Sequence, residues 1–234
     1  MKKVLLTLIA AVLIFACKKK EEEVKPEETP SSTQWNAYFK MDGNLSDSTN
    51  TLTGTATDVT FGAKTASFNG TSSYAVIPAE GTITTPDQFS FSFFFKANYT
   101  DTRLKPRMVQ MIDEKGHTID VYIENSRVVV TNWDETQRKN VAELTTSTSP
   151  DLTKWHKVVI TFDFPANEVK LYVDDQLTEA AKKGPLTKLG KARIILGRHE
   201  HLGSHAMDYY NGELDNLRLY GSIVAPSSFP QIVR

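Results

Sequence analysis

Glu213 and Asp215 lie two residues apart, and on a β-strand that spacing turns both carboxylates to one side. Two carboxyls are the minimum for glycoside hydrolysis, where a retaining mechanism sets nucleophile and acid about 5–5.5 Å apart. No further Glu follows Asp215. Asp120 and Glu124 form a second same-face pair, too widely spaced for that role. Both pairs read as solvated polar faces, and the protein is expected not to be an enzyme.

Metal chemistry has two candidates. Asp42, Asn44 and Ser46 alternate like the first ligands of a calcium loop, but Asp47 and Thr53 occupy the sixth and twelfth positions. An EF-hand needs Gly and Glu there, so it is excluded. His199, His201 and His205 cluster with Glu200 and Asp208 in GRHEHLGSHAMDYYNG. Three imidazoles could hold Zn²⁺ in a loop that folds back, yet no Glu stands at zincin spacing, and a polar surface loop is the expectation.

Trp133, within NWDETQRK, and the pair Tyr209–Tyr210 offer flat aromatics beside amide and charged groups. Such surfaces suit sugar rings, which present an apolar face and a hydroxyl edge. Trp133 would serve equally as a partly buried packing residue. There is no Gly-rich phosphate loop, and 27 basic residues balance 28 acidic ones, so nucleic acid is not an expected partner.

The elements that must position these residues are strands. From Lys154 to Leu177 the chain reads KWHKVVITFDFPANEVKLYVDDQL. His156, Val158, Ile160 and Phe162 alternate with Lys157, Val159, Thr161 and Asp163; Val169, Leu171 and Val173 alternate with Lys170, Tyr172 and Asp174. A period of two over both arms predicts two half-buried strands. Pro165 marks the first connection, and Asp174–Asp175 a tight turn built from residues that tolerate positive φ. Further strand-like runs are Trp35–Met41, Ala66–Asn69, Tyr74–Pro78, Phe89–Ala97, Met108–Asp113, Thr118–Glu124, Arg127–Asn132, Ala192–Gly197 and Glu213–Tyr220. Asn125–Ser126 is a two-residue hairpin turn. The nearest helical candidate, Thr178–Lys183, is short and stops at Gly184–Pro185. Many short strands in one segment of this length predict a β-sandwich or jelly roll.

Three segments are delimited. Residues 1–16 carry a short basic start at Lys2 and Lys3, then an apolar run from Val4 to Phe15. That run is too short to span a bilayer, which takes about 20 residues as a helix, and is expected to be a secretory signal. Ile14–Phe15–Ala16–Cys17 resembles a bacterial lipobox, which implies cleavage before Cys17 and its acylation. Cys17 is the only cysteine, so it has no disulfide partner in the chain, and acyl chains there would hold the protein on a membrane. Residues 17–33 form a charged, Pro- and Ser/Thr-containing tether that cannot bury a core. Its acidic run resembles the surface-export signal of some Gram-negative lipoproteins, and the expected location is the outer membrane, periplasmic face or cell surface, the surface being favoured. Residues 34–234 make a single domain.

That domain resembles the laminin G-like, concanavalin A-like jelly rolls. The resemblance rests on the Trp155–His156 hairpin, on Tyr38 to Asn44 as an opening strand, and on Ser67–Phe68–Asn69–Gly70–Thr71 as a turn. Phe91 to Lys96 supplies the aromatic strand, and Gly212 to Tyr220 the closing one. Asp175 replaces the customary Gly of the second hairpin turn, and the Trp common in the aromatic strand is missing. The resemblance implies an all-β, two-sheet antiparallel sandwich with Trp155 in its core. Glu213 and Asp215 resemble part of the Glu-x-Asp-x-(x)-Glu motif of the related glucanases, without its second Glu. Relatives often carry an ion where opening and closing strands meet, which implies a Ca²⁺ shared by Asp42 and Asp215. The expected function is a monomeric, lipid-anchored, non-catalytic module that binds glycan through Trp133, Tyr209 and Tyr210. A module binding an envelope or surface protein is the alternative, and a glycoside hydrolase the third reading.

Overall fold

The computed structural model describes residues 35–48, 52–78, 80–99, 104–181, 185–201 and 207–231. Residues 1–34, with Cys17 and the tether, and His205 lie outside the described residues. The strands are β1 (Ala37–Phe39), β2 (Thr55–Thr57), β3 (Thr60–Phe61), β4 (Ala66–Asn69), β5 (Tyr74–Ile77), β6 (Ile83–Thr84), β7 (Gln88–Ala97) and β8 (Arg107–Asp113). They continue as β9 (Thr118–Glu124), β10 (Arg127–Asp134), β11 (Lys139–Thr145), β12 (His156–Asp163), β13 (Glu168–Val173), β14 (Gln176–Ala181), β15 (Lys191–Leu196) and β16 (Asn211–Tyr220). They form two 8-stranded antiparallel sheets. The first runs β14-β13-β12-β7-β16-β4-β3 with β1 beside β16; the second runs β11-β10-β9-β8-β15-β5-β2 with β6 beside β15.

The core fills the space between the sheets because alternate residues of each strand point inward. Phe89, Phe91, Phe93 and Phe95 descend β7 in a row, with successive ring centroids 6.1, 6.5 and 6.5 Å apart. Phe162 packs on Phe89 at 5.2 Å. Ile119, Val121, Ile123, Val128 and Val130 meet them from the second sheet. The alternation read from Val158, Ile160 and Phe162 is the observed inward set, and Asp174–Asp175 and Asn125–Ser126 take the positive φ of tight hairpin turns.

Two expectations fail. The hairpin is not half-buried along its first arm, since Lys157, Val159 and Thr161 on its other face are also covered. The C-terminal segment lies there: Ser90 Oγ donates to Ser222 O at 2.9 Å, Val224 N donates to Ser90 Oγ at 2.9 Å, and Phe229 abuts Tyr220. Lys157 meets this burial by pairing with Asp175 at 2.6 Å. Trp155 is half-buried and outside the core cluster, because it stands just before β12, ahead of the first inward position.

Candidate functional site

The inward use of Ile119, Val121 and Ile123 leaves Thr118, Asp120 and Tyr122 on the outer face of the second sheet. Pairing of β9 with β10 sets Thr118 opposite Trp133, Asp120 opposite Thr131 and Tyr122 opposite Val129. Arg107 comes from the start of β8, where the register shifts. At Gly197 a Cβ would meet the Phe68 ring at 2.3 Å, and φ is +84°. Only glycine makes that turn, and it carries the chain from β15 to His199 and His201. Together these residues line a cavity of about 280 Å³, with Lys105 and Asn140 at its margins.

Its chemistry is dense and paired. The Arg107 guanidinium lies 4.0 Å from the Tyr122 ring centroid, a cation–π stack. Its Nε donates to Asp120 Oδ1 at 3.2 Å, and one Nη donates to the Lys105 carbonyl at 2.8 Å. Asp208 lies 3.9 Å away. Asp120 Oδ1 also accepts from Gln110 Nε2 at 2.9 Å, and Thr118 Oγ1 donates to Oδ2. Lys105 pairs with Glu124 at 2.7 Å. Trp133 Nε1 donates to Glu135 Oε2 at 2.8 Å, and His201 Nε2 lies 3.5 Å from the same oxygen.

Protonation follows from these contacts. Burial pulls the His199 imidazole below its ordinary range, with Asp120 opposing and Arg107 reinforcing the shift. The hydrogen bond from Trp133 leads the contacts that hold the Glu135 carboxyl below its usual range. Burial pushes the Tyr122 phenol well above its own, against the pull of Arg107. At neutral pH the pocket therefore offers a phenol, a neutral imidazole, an indole face and ion pairs that cancel in charge.

The sequence candidates fare unequally. Trp133, His199 and His201 are brought together at the pocket. Tyr210 is 0 % exposed and its hydroxyl donates to the Lys96 carbonyl at 3.0 Å. It is a core residue and cannot stack on a sugar, because the chain entering β16 buries its ring against Phe68. Tyr209 is half-buried and lines no part of this cavity. Glu200, expected beside the imidazoles, instead pairs with Arg193 at 3.1 Å and Arg198 at 2.7 Å.

Glu213 and Asp215 do share a face, but on the other sheet, opposite Lys96 and Phe94. Glu213 pairs with Lys96 at 3.3 Å, and Asp215 is buried with Asn216 Nδ2 donating to it at 2.8 Å. Opening and closing strands do lie side by side, since β1 pairs β16 up to Phe39–Leu217. Asp42 is exposed beyond that pairing, past Met41 at φ +59°. No group of three or more His, Cys, Asp or Glu side chains suited to a metal gathers among the described residues. A calcium ion at Asp42 and Asp215 would take two carboxylates from the chain and its remaining oxygens from carbonyls and water.

Arg107, Tyr122, Thr131 and Lys105 were missed as site residues. The alternation of Thr118–Glu124 and the two-residue turn after it could have placed Tyr122 and Thr131 on the same face as Trp133. Nothing comparable points to Arg107, the first residue of β8, or to Lys105, which precedes it.

Comparison with known proteins adds the following. Residues 69–227 match the family model described as concanavalin A-like lectin/glucanases superfamily. No curated protein matches the sequence. Among solved structures, domain 4 of AbnA, a GH43 extracellular arabinanase from Geobacillus stearothermophilus in complex with arabinotriose, superposes with a TM-score of 0.66 at 19% identity. That match covers 82% of this chain and 95% of the other. The binding domain of botulinum neurotoxin serotype G gives 0.61 at 15% identity, over 82% of this chain and 49% of that one. The Ruminococcus gnavus IT-sialidase CBM40 bound to alpha2,3 sialyllactose gives 0.51 at 12% identity, over 60% and 79%. At these identities the likeness establishes a shared fold.

Proposed function

As the chain belongs to the concanavalin A-like lectin/glucanase superfamily, we propose that it is a monomeric, non-catalytic module that binds carbohydrate in the Trp133 pocket. The observation that carries this reading is the pocket itself. A half-exposed indole, a guanidinium–phenol stack, hydroxyls and a neutral imidazole converge on a space of about 280 Å³. A sugar ring offers the matching apolar face and hydroxyl edge. Two of the similar folds were solved with arabinotriose and with sialyllactose, which supports the same class of ligand. Turnover is not proposed, because Asp120 is committed to Arg107, Gln110 and Thr118, and Glu213 to Lys96.

The proposal places this module on a lipid anchor at Cys17, behind the tether of residues 17–33, in the outer membrane with the cell surface favoured. The support is the lone Cys directly after the apolar run and the acidic stretch Glu21–Glu23. Cys17→Ser is expected to release the protein from the membrane fraction and to end incorporation of labelled fatty acid; equal labelling of the variant refutes the anchor.

A glycan array probed with the protein tests the binding. Trp133→Ala should weaken the best hit by about 1–2 kcal/mol, the worth of one stacked indole. Equal affinity would move the site elsewhere, and an array without hits would favour a protein ligand. Release of reducing ends that disappears in Glu213→Gln would overturn the non-catalytic reading.

A further inference from the structure

We propose that the glycan does not end in the pocket but runs on from it along β11, the outermost described strand of its sheet, so that the protein holds a chain of two or more sugar rings by its end. This rests on the carbohydrate reading of the pocket. A space of about 280 Å³ lies just below the usual ~300–1,000 Å³ of a ligand site, so a chain of several rings must extend outside it. Beside it lies a second, more open depression of about 480 Å³, lined by Gln137, Lys139, Asn140, Glu143 and Pro185 among others. Asn140 belongs to both walls. The two spaces are therefore neighbours across one side chain.

Strand order gives the continuation a direction. In the sequence β11-β10-β9-β8-β15, Asn140 stands at one side of the pocket, while Arg107 and His199 stand at the other. The register places Asn140 opposite Trp133 and Glu143 opposite Thr131, so these groove residues share the outer face with the pocket. A shift in that register between Asn132 and Trp133 bends the edge strand at the junction, the usual effect of a bulge. Among the described residues β11 is the last strand of its sheet, so a ligand there meets side chains at the rim of the sandwich.

The groove differs from the pocket in kind. It holds no aromatic ring, but it has one cation at Lys139, one carboxylate at Glu143 and amides at Gln137 and Asn140. Asn140 Nδ2 already donates to Glu143 Oε2 at 3.0 Å, which orients both groups over the surface. Pairs of donors and acceptors without a stacking platform suit the hydroxyls of further rings, whose orientation is set by the first ring seated against Trp133.

Titration calorimetry with arabinose, arabinotriose, sialic acid and sialyllactose decides this. The oligosaccharide of the preferred series should bind more tightly than its monosaccharide. Lys139→Ala and Glu143→Ala should each cost the oligosaccharide about fivefold, the worth of one net hydrogen bond, and leave the monosaccharide unchanged. Trp133→Ala should weaken both. Equal affinity for short and long ligands, or an oligosaccharide indifferent to both groove variants, overturns the groove while the pocket stands. Failure of the wild type to bind any of the four, or any glycan on an array, removes the pocket reading and the groove with it.

Discussion

Replacing Asp120 by Asn keeps the shape of the pocket lining and removes one charge. In the wild type the Arg107 and Asp120 side chains are 12% and 5% exposed, and they meet at 3.2 Å. Removing one partner of a buried ion pair costs about 3–5 kcal/mol, mostly because the other charge is left uncompensated. Here Arg107 retains the Lys105 carbonyl, the Tyr122 ring and Asp208 at 3.9 Å. The expected loss therefore falls at or just below the lower end of that range, about 2–3 kcal/mol. Urea unfolding should show it as a lower midpoint with an unchanged slope. Adding Arg107→Met should recover part of the loss, because the stranded charge is gone and its volume is filled. A loss below about 0.5 kcal/mol, the scale of an exposed pair, would refute the claim that this pair is buried. A double variant no better than the single would refute the account of why it is costly.

Ile160→Lys places a charge in the packed space beneath Phe91 and should abolish the cooperative melting transition by circular dichroism; a folded variant contradicts the strand's facing. His199 is held below its ordinary 6.5, so the unfolded chain takes up a proton before the folded one. Its contribution to stability is complete above that value and declines as pH falls through it, until the folded imidazole also titrates. His199→Gln should flatten the slope of stability between about pH 7 and 5.5, and an unchanged slope rejects the effect. A calcium ion shared by Asp42 and Asp215 would add about 2.7 kcal/mol at a hundredfold excess over its Kd, and Asp215→Asn would blunt that gain; identical melting with and without chelator rejects the ion.

The fold was legible where local chemistry agrees with tertiary need. Alternation around Val158, Ile160 and Phe162 named the inward face, and Asn125–Ser126 and Asp174–Asp175 named two turns that take the positive φ expected of them. It failed where a partner arrives from far along the chain. Lys157 and Thr161 looked solvated, and nothing local announces that residues 222–229 will cover them. Thr178–Lys183 looked closest to a helix, yet residues 176–181 pair with β13, since an open sheet edge outweighs weak propensity. β11 went unread because its extra residue at Val141, where the register with β10 shifts, breaks the alternation that marks a strand.

The site was half legible for the same reason. A two-residue turn leaves one possible register, so Thr118 must face Trp133 and Asp120 must face Thr131. One aromatic on β10 thus implied a polar row on β9, which is how Asp120 passes from an unsuited catalytic acid to the partner of Arg107. Composition alone could not separate Tyr209 and Tyr210 from Trp133, since an exposed platform and a core ring use the same residue types. What separates them is strand position. Tyr210 immediately precedes β16, the strand packed between β7 and β4, where the sandwich must be filled. Trp133 sits near the end of β10, where the register with β11 shifts, and it lines the pocket on the outer face.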